Sequence, residues 1–151
     1  MDFDQYGYCR DERNTNLKAS EYGAQIDPMG LRIVLNDYYS RYRLPLIITE
    51  NGLGMVDTLT DDGKVHDPYR IDYLSRHIHA CALAIEDGVE LFGYAPWSVM
   101  DLLSSHQGFR KRYGFIYVNR DDMELRDMRR IKKDSFFWYQ QVIKENGAGL
   151  C

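Results

Sequence analysis

The chain has little cysteine: Cys9, Cys81 and Cys151 are three in 151 residues, an odd number without metal-ligand spacing. A disulfide framework is not expected, and a reducing cytoplasm fits best. The chain also lacks an excess of positive charge. Lys plus Arg is 19 against 23 Asp plus Glu, a net charge of −4, which argues against non-specific binding to nucleic acid or to an anionic membrane. Its densest basic clusters, Arg110-Lys111-Arg112 and Arg129-Arg130 to Lys132-Lys133, are short and flanked by acids. No apolar run approaches the ~20 residues needed to cross a bilayer, and the N-terminus does not read as a signal peptide. Aromatic side chains, by contrast, are abundant. Twelve Tyr and two Trp are mostly core filler, but rings of this kind also line carbohydrate or aromatic-ligand sites.

Residues 1 to about 26 lack periodicity and read mostly as loop. Asp27-Pro28 then starts a helix, with Asp as N-cap and Pro at the first helical position. Leu31, Val34, Leu35, Tyr38 and Tyr39 recur at helical spacing to about Tyr42. After Pro45, Leu46-Ile47-Ile48-Thr49 is a short apolar, β-branched run, closed by Glu50-Asn51-Gly52. It is expected to be a strand buried on both faces. A loop spans Gly52 to His66, and Asp67-Pro68 opens a second helix with an apolar stripe of Ile71, Leu74, Ile78, Cys81, Ala82 and Ile85, ending at Asp87-Gly88. Val89 to Ser98 is a second strand, and Tyr113–Val118 a short third one. The charged stretch from Asn119 to Asp134 reads as exposed. A last helix, about Ser135 to Asn146, is expected to bury Phe136, Phe137, Tyr139, Val142 and Ile143.

Helix, strand, helix, strand at these lengths means right-handed crossovers and neighbouring parallel strands, an α/β arrangement. A closed eight-stranded barrel takes about 250 residues, so two such strands make a piece of a barrel. In a parallel barrel catalytic groups collect at the carboxyl ends of the strands, where Glu50 and Trp97 fall. A carboxylate there can attack an anomeric carbon, and an aromatic face can stack on a pyranose. Alone, the stretch better fits a core strand that ends in a turn with Glu50 as a surface acid, since Asn-Gly is an ordinary turn signal. The loop after Trp97 adds Ser104, Lys111 and Tyr113, a hydroxyl, an ammonium and a phenol that suit a phosphate dianion. Singly each is an ordinary solvated side chain; their joint placement beside Glu50 points to a phosphorylated sugar.

These residues lie in a pattern that resembles the glycoside hydrolase family 1 β-glycosidases, in the subgroup acting on 6-phospho-β-glucosides and 6-phospho-β-galactosides. The resemblance rests on Leu17-Lys-Ala-Ser-Glu21, Gln25-Ile-Asp-Pro-Met-Gly-Leu31, Ile48-Thr-Glu-Asn-Gly52 and Tyr69-Arg-Ile-Asp-Tyr-Leu74. It continues through Asp87-Gly-Val89, Gly93-Tyr-Ala-Pro-Trp-Ser98, Asp101-Leu-Leu-Ser104 and Lys111-Arg-Tyr-Gly-Phe-Ile-Tyr-Val118, covering about Asn16 to Gly147. It implies a partial (β/α)8 TIM barrel, roughly the last two parallel strands with their helices plus a short β-hairpin, so that 1–151 is a C-terminal part of a single barrel domain. It also implies that Glu50 is the retaining nucleophile and that Trp97 stacks under the glycone. Ser104, Lys111 and Tyr113 hold the 6-phosphate, with Ser104 standing where members acting on free sugars carry Glu. A carboxylate at that position would repel the phosphate. Ser105 stands where the 6-phospho-galactosidases carry Trp, which favours the gluco series. No metal or organic cofactor is implied, since protonation and carboxylate attack suffice.

Two features depart from the family pattern. Ala24 replaces a Trp that contacts the aglycone. The Thr-Phe-Asn-Glu-Pro-like motif that bears the acid/base Glu is absent from these 151 residues, as are the upstream Gln, His and Asn that contact the glycone. Retaining chemistry needs two carboxyl groups about 5–5.5 Å apart, and this chain supplies one. The expectation is therefore a cytoplasmic 6-phospho-β-glucosidase whose isolated C-terminal part turns over little or nothing. The alternatives are a non-catalytic lobe that binds sugar 6-phosphates and a purely structural piece whose open strand edges promote self-association.

Overall fold

The structure, a computed structural model, describes residues 14–150. Cys9 and Cys151 lie outside the described residues, as does the first half of the segment expected to be loop; residues 14–27 consist of turns closed by a bridge between Ala19 and Gln25. The elements in order are α1 (Pro28–Tyr42), β1 (Leu46–Asn51), α2 (Pro68–Glu86), β2 (Leu91–Pro96), β3 (Ile116–Val118), β4 (Arg130–Lys132) and α3 (Asp134–Lys144), followed by one 3-10 turn at Ala148–Leu150.

Asp27 caps α1 as its side chain suggests, accepting the Gly30 N–H at 2.8 Å. The helix ends where Arg43 turns left-handed (φ 52°) and donates to Tyr39 O. Strands β1 and β2 pair in parallel, with Leu46 opposite Leu91 and Ile48 opposite Tyr94. Both helices pack on one face of this pair, around Leu35, Cys81, Ala84 and Val89, with Leu46, Ile48 and Leu91 reaching in from the strands. Arg32 of α1 grips Asp87 at the end of α2 in a two-pronged ion pair of 2.7 and 2.6 Å. The hydrogen bonds from Arg32 and then Asn36 hold the Asp87 carboxyl down at about 2. A second apolar cluster, Leu53, Tyr73, Leu74 and Phe115, joins α2 to the post-strand loops and α3.

Several expectations need correction. The β1 strand is covered on one face alone: Ile47 is 49% and Phe92 of β2 68% exposed, because among the described residues nothing packs on the side away from the helices. The α2 helix buries Arg70, Tyr73, Leu74, His77, Ala80, Cys81 and Ala84, while Ile85 of the expected stripe is exposed. That face could not be found from hydropathy, because its polar members each have an internal partner. Tyr73 meets Asn51, and His77 lies 2.7 Å from Tyr73 O and stacks on the Tyr73 ring.

On α3, Ser135 is buried while Phe137 and Ile143 are exposed. The charged stretch before it is mostly exposed, as expected, but it contains β4, paired antiparallel with β3, and Asn119 and Lys133 within it are buried, Lys133 entirely. Asp67 precedes α2 without capping it through its side chain; its carboxylate instead takes Arg70 and both the N–H and hydroxyl of Ser135. Among the described residues no helix is long and apolar enough to cross a membrane.

Candidate active site

The site begins with a flaw in the β1 ladder. Ile48 packs in the helix-side core, and Asn51, three residues on, also reaches the helix side, where its amide donates to Tyr73 OH at 3.2 Å. Strict alternation puts residues three apart on opposite faces. The register irregularity between Ile48 and Asn51 reconciles the two, as an inserted residue does in a bulge, and leaves Glu50 exposed at the strand end. Tyr94 of β2 fixes the other end of the Asn51 amide, donating to Oδ1 at 2.7 Å. Burial, aided by neighbouring ionisable groups, pushes the Tyr94 hydroxyl far above its ordinary value, so it remains a donor.

Trp97 follows β2 directly, and its N–H donates to Asn51 O at 2.7 Å. The two strand ends touch so closely that a Cβ on Gly52 would lie 1.9 Å from Trp97 O; only glycine fits. Glu50 and the half-exposed Trp97 indole are thereby set on adjacent strand ends. The Trp97–Ser98 peptide is cis.

Arg112 and Met55 exchange two backbone hydrogen bonds, 2.8 and 3.0 Å. In such an extended pairing residues 111 and 113 share a face and 112 takes the other. Lys111 and Tyr113 therefore close together over Gly54, where a Cβ would lie 2.5 Å from Lys111 Cε and 2.8 Å from a Tyr113 ring carbon. The ammonium sits 5.4 Å from the Tyr113 ring centre. Ser104 is buried at the base of its own tight turn, exchanging main-chain bonds with Gly108 and donating to Gln107 Oε1 at 3.4 Å. Ser105 is exposed beside His106. The structure thus sets Glu50 and Trp97 on adjacent strand ends and Lys111 against Tyr113, while Ser104 and Ser105 share the loop without a hydrogen bond to that pair.

On its opposite face Arg112 enters a buried ionic cluster that sequence reasoning missed. Lys133 Nζ donates to Asp57 and, at 2.7 Å, to Asp101. Arg112 reaches Asp101 at 3.0 Å and also holds the main-chain oxygens of Val118 and Arg120. Arg70 pairs with Asp67 and Asp57 and donates to Arg112 O at 2.9 Å, while Tyr69 donates to Asp57. Three acids face three bases. Burial works against ionising Asp57, but Arg70 and Lys133 outweigh it and hold the carboxyl below the usual range. Burial and the Arg70 charge lower Lys133, opposed by Asp101 and Asp57. Beneath the loop, this cluster ties α2, the 52–66 segment and the start of α3 to the residue between Lys111 and Tyr113. Asp57 read as loop polarity, Asp67 as a helix start, Asp101 as part of the family pattern and Lys133 as an exposed charge, so nothing in the sequence joined them into one cluster.

Two parallel strands packed on one face by helices, with Glu50 and Trp97 at their adjacent carboxyl ends, make one sector of an α/β barrel. Residues 2–148 match glycosyl hydrolase family 1, and the chain belongs to that family. It is 54% identical over 144 residues to an aryl-phospho-β-D-glucosidase of Bacillus subtilis, covering 95% of this chain and 30% of that protein. To a 6-phospho-β-glucosidase of Clostridium longisporum it is 54% identical over 142 residues, 91% of this chain and 30% of that protein. A β-glucosidase from Thermotoga maritima, solved with glucoimidazole, superposes with a TM-score of 0.81 at 40% identity, covering 91% of this chain and 30% of the other. The chain thus spans about 30% of the length of the curated relatives it matches, and it folds as part of their barrel.

Proposed function

We propose that the chain is the C-terminal, nucleophile-bearing part of a retaining 6-phospho-β-glucosidase, contributing roughly the last two of eight barrel strands. Glu50 attacks the anomeric carbon and forms a glycosyl-enzyme bond. A carboxyl group from outside these residues protonates the leaving oxygen and then, as base, directs water onto the intermediate. Trp97 lies under the sugar ring. Lys111, Tyr113 and Ser104 take the 6-phosphate, and the small Ser105 leaves room for the gluco configuration. Buried, unpaired Cys81 suits a reducing cytoplasm.

The observation that carries this reading is the joint geometry: Glu50 and Trp97 are clamped together through Asn51 and Gly52, and Lys111 and Tyr113 close over Gly54 two residues beyond. Relatives named for phosphorylated β-glucosides support it. Two measurements on the 151-residue chain test it. Glucose 6-phosphate should bind and glucose should not, with Lys111→Ala abolishing the difference. A chromogenic 6-phospho-β-glucoside should show little or no turnover, since the missing acid/base is worth ~10²–10⁴-fold and the glycone contacts outside these residues are missing as well. Ordinary enzymatic turnover by the chain alone, lost in Glu50→Gln, would overturn the assignment of the second carboxyl to residues outside it.

A further inference from the structure

Opposite Tyr113 a second ring faces Lys111. The Tyr22 ring centre is 5.0 Å from the Lys111 ammonium, so the cation sits between two phenols, over Gly54, with rings rather than a carboxylate beside it. Two anchors hold Tyr22 in place. Ser20 Oγ accepts the N–H of Tyr22 and of Ala24, both at 3.2 Å, and Gly23 turns at φ 81° to close the loop. Glu21 Oε1 accepts the Val56 N–H at 2.7 Å, fastening that loop to the segment just after Gly54.

The Tyr22 hydroxyl is buried and has no hydrogen-bond partner. A buried hydroxyl left unpaired is unfavourable and calls for an explanation. The charges acting on it are Glu21, Arg110 and Asp122. Both acids are already engaged with main-chain N–H groups, Glu21 as above and Asp122 with Phe109 N at 2.5 Å, while Arg110 adds a second cation on that side. Rings hold an ammonium through their negative faces without neutralising it, so Lys111 keeps its full charge for an incoming anion. A paired carboxylate would have competed for it.

We propose that Tyr22 is a fourth residue of the anion subsite: its ring holds the Lys111 ammonium in place, and its unpartnered hydroxyl donates to an oxygen of the phosphate monoester of a sugar. This rests on the reading of Lys111 and Tyr113 as the phosphate-binding pair. Occupation of the subsite would satisfy the hydroxyl that is orphaned without ligand.

The test is titration of the 151-residue chain with glucose 6-phosphate, and separately with glucose, by calorimetry, for the parent, Tyr22→Phe, Tyr22→Ala and Lys111→Ala proteins, each with its urea unfolding midpoint. A donor to a charged oxygen is worth ~10-fold or more in affinity. Tyr22→Phe should lose ~10-fold for glucose 6-phosphate while its unfolding midpoint stays the same or rises, because the free protein loses no hydrogen bond. Loss of affinity without loss of stability is an outcome that a merely structural Tyr22 does not give. Tyr22→Ala should lose ~100-fold, since the ring goes too. Affinity of Tyr22→Phe within two-fold of the parent overturns the role of the hydroxyl while leaving the Lys111 site standing. A parent protein that does not distinguish glucose 6-phosphate from glucose overturns both this inference and the phosphate reading beneath it.

Discussion

Replacing Lys133 by Met removes one charge from a cluster in which Asp57, Asp67 and Asp101 balance Arg70, Arg112 and Lys133. Lys133 has no solvent exposure and serves two carboxylates at once. Without it a net negative charge remains buried. Asp101 retains Arg112 and the N–H groups of Gly114 and Val118, while Asp57 retains Arg70 at 3.2 Å and Tyr69. Breaking a buried pair on one side is destabilising by about 3–5 kcal/mol, a large share of the roughly 5–15 kcal/mol that holds a domain folded. With a urea slope of about 2 kcal/mol per molar, the midpoint should fall by roughly 2 M. Lys133→Met with Asp57→Asn restores neutrality, so the double variant should be more stable than the sum of the two single losses predicts, by about 1–3 kcal/mol. A single-variant loss under about 1 kcal/mol, a size typical of an exposed pair, would refute the claim that this cluster holds the loops, as would strict additivity in the cycle.

Gly52→Ala should disturb the site more than the core, because its Cβ meets the main-chain oxygen of Trp97 rather than a yielding side chain. A stability loss of about 1–3 kcal/mol is expected from such overpacking, with a shifted Trp97 fluorescence maximum as the local readout. Acid should destabilise the fold in two stages. Burial lowers His77 below its ordinary value, so the unfolded chain takes that proton first and stability declines as pH falls below about 6.5; His77→Gln should flatten this region. Asp57 is lowered, and Asp62 and Asp87 lie at about 2. Their contribution is complete above about 4 and disappears as pH falls toward 2. In Asp87→Asn, urea midpoints measured between pH 5 and 2 should fall less steeply than in the parent; an identical slope would count against the Arg32–Asp87 clasp.

Local chemistry was legible residue by residue. Asp27-Pro28 placed the start of α1, Asp67-Pro68 that of α2 and Asp87-Gly88 its end, because caps and fixed φ angles act within a turn or two. The parallel β1–β2 pair followed from the lengths of the runs between them. Glu50, Trp97, Lys111 and Tyr113 stood out because their chemistry clusters at strand ends and in the loop beyond. Burial was read less well. The stripes on α2 and α3 were drawn from hydropathy, and they fail where Arg70 and Ser135 find partners from distant parts of the chain and where His77 meets the Tyr73 main-chain oxygen one turn back.

The sequence by itself determined where the helices and parallel strands lie and which acid, ring and cation stand at their ends, since these depend on interactions within a few residues. The tertiary structure alone decided the rest. It set the irregularity that lets Ile48 and Asn51 face the same way, the contact that leaves room only for glycine at position 52, the placement of Lys111 between Tyr22 and Tyr113, and the burial of Lys133 among acids 32 and 76 residues away. Charge pairing and close backbone approach join groups that are remote in the chain, and only the folded packing brings them into range.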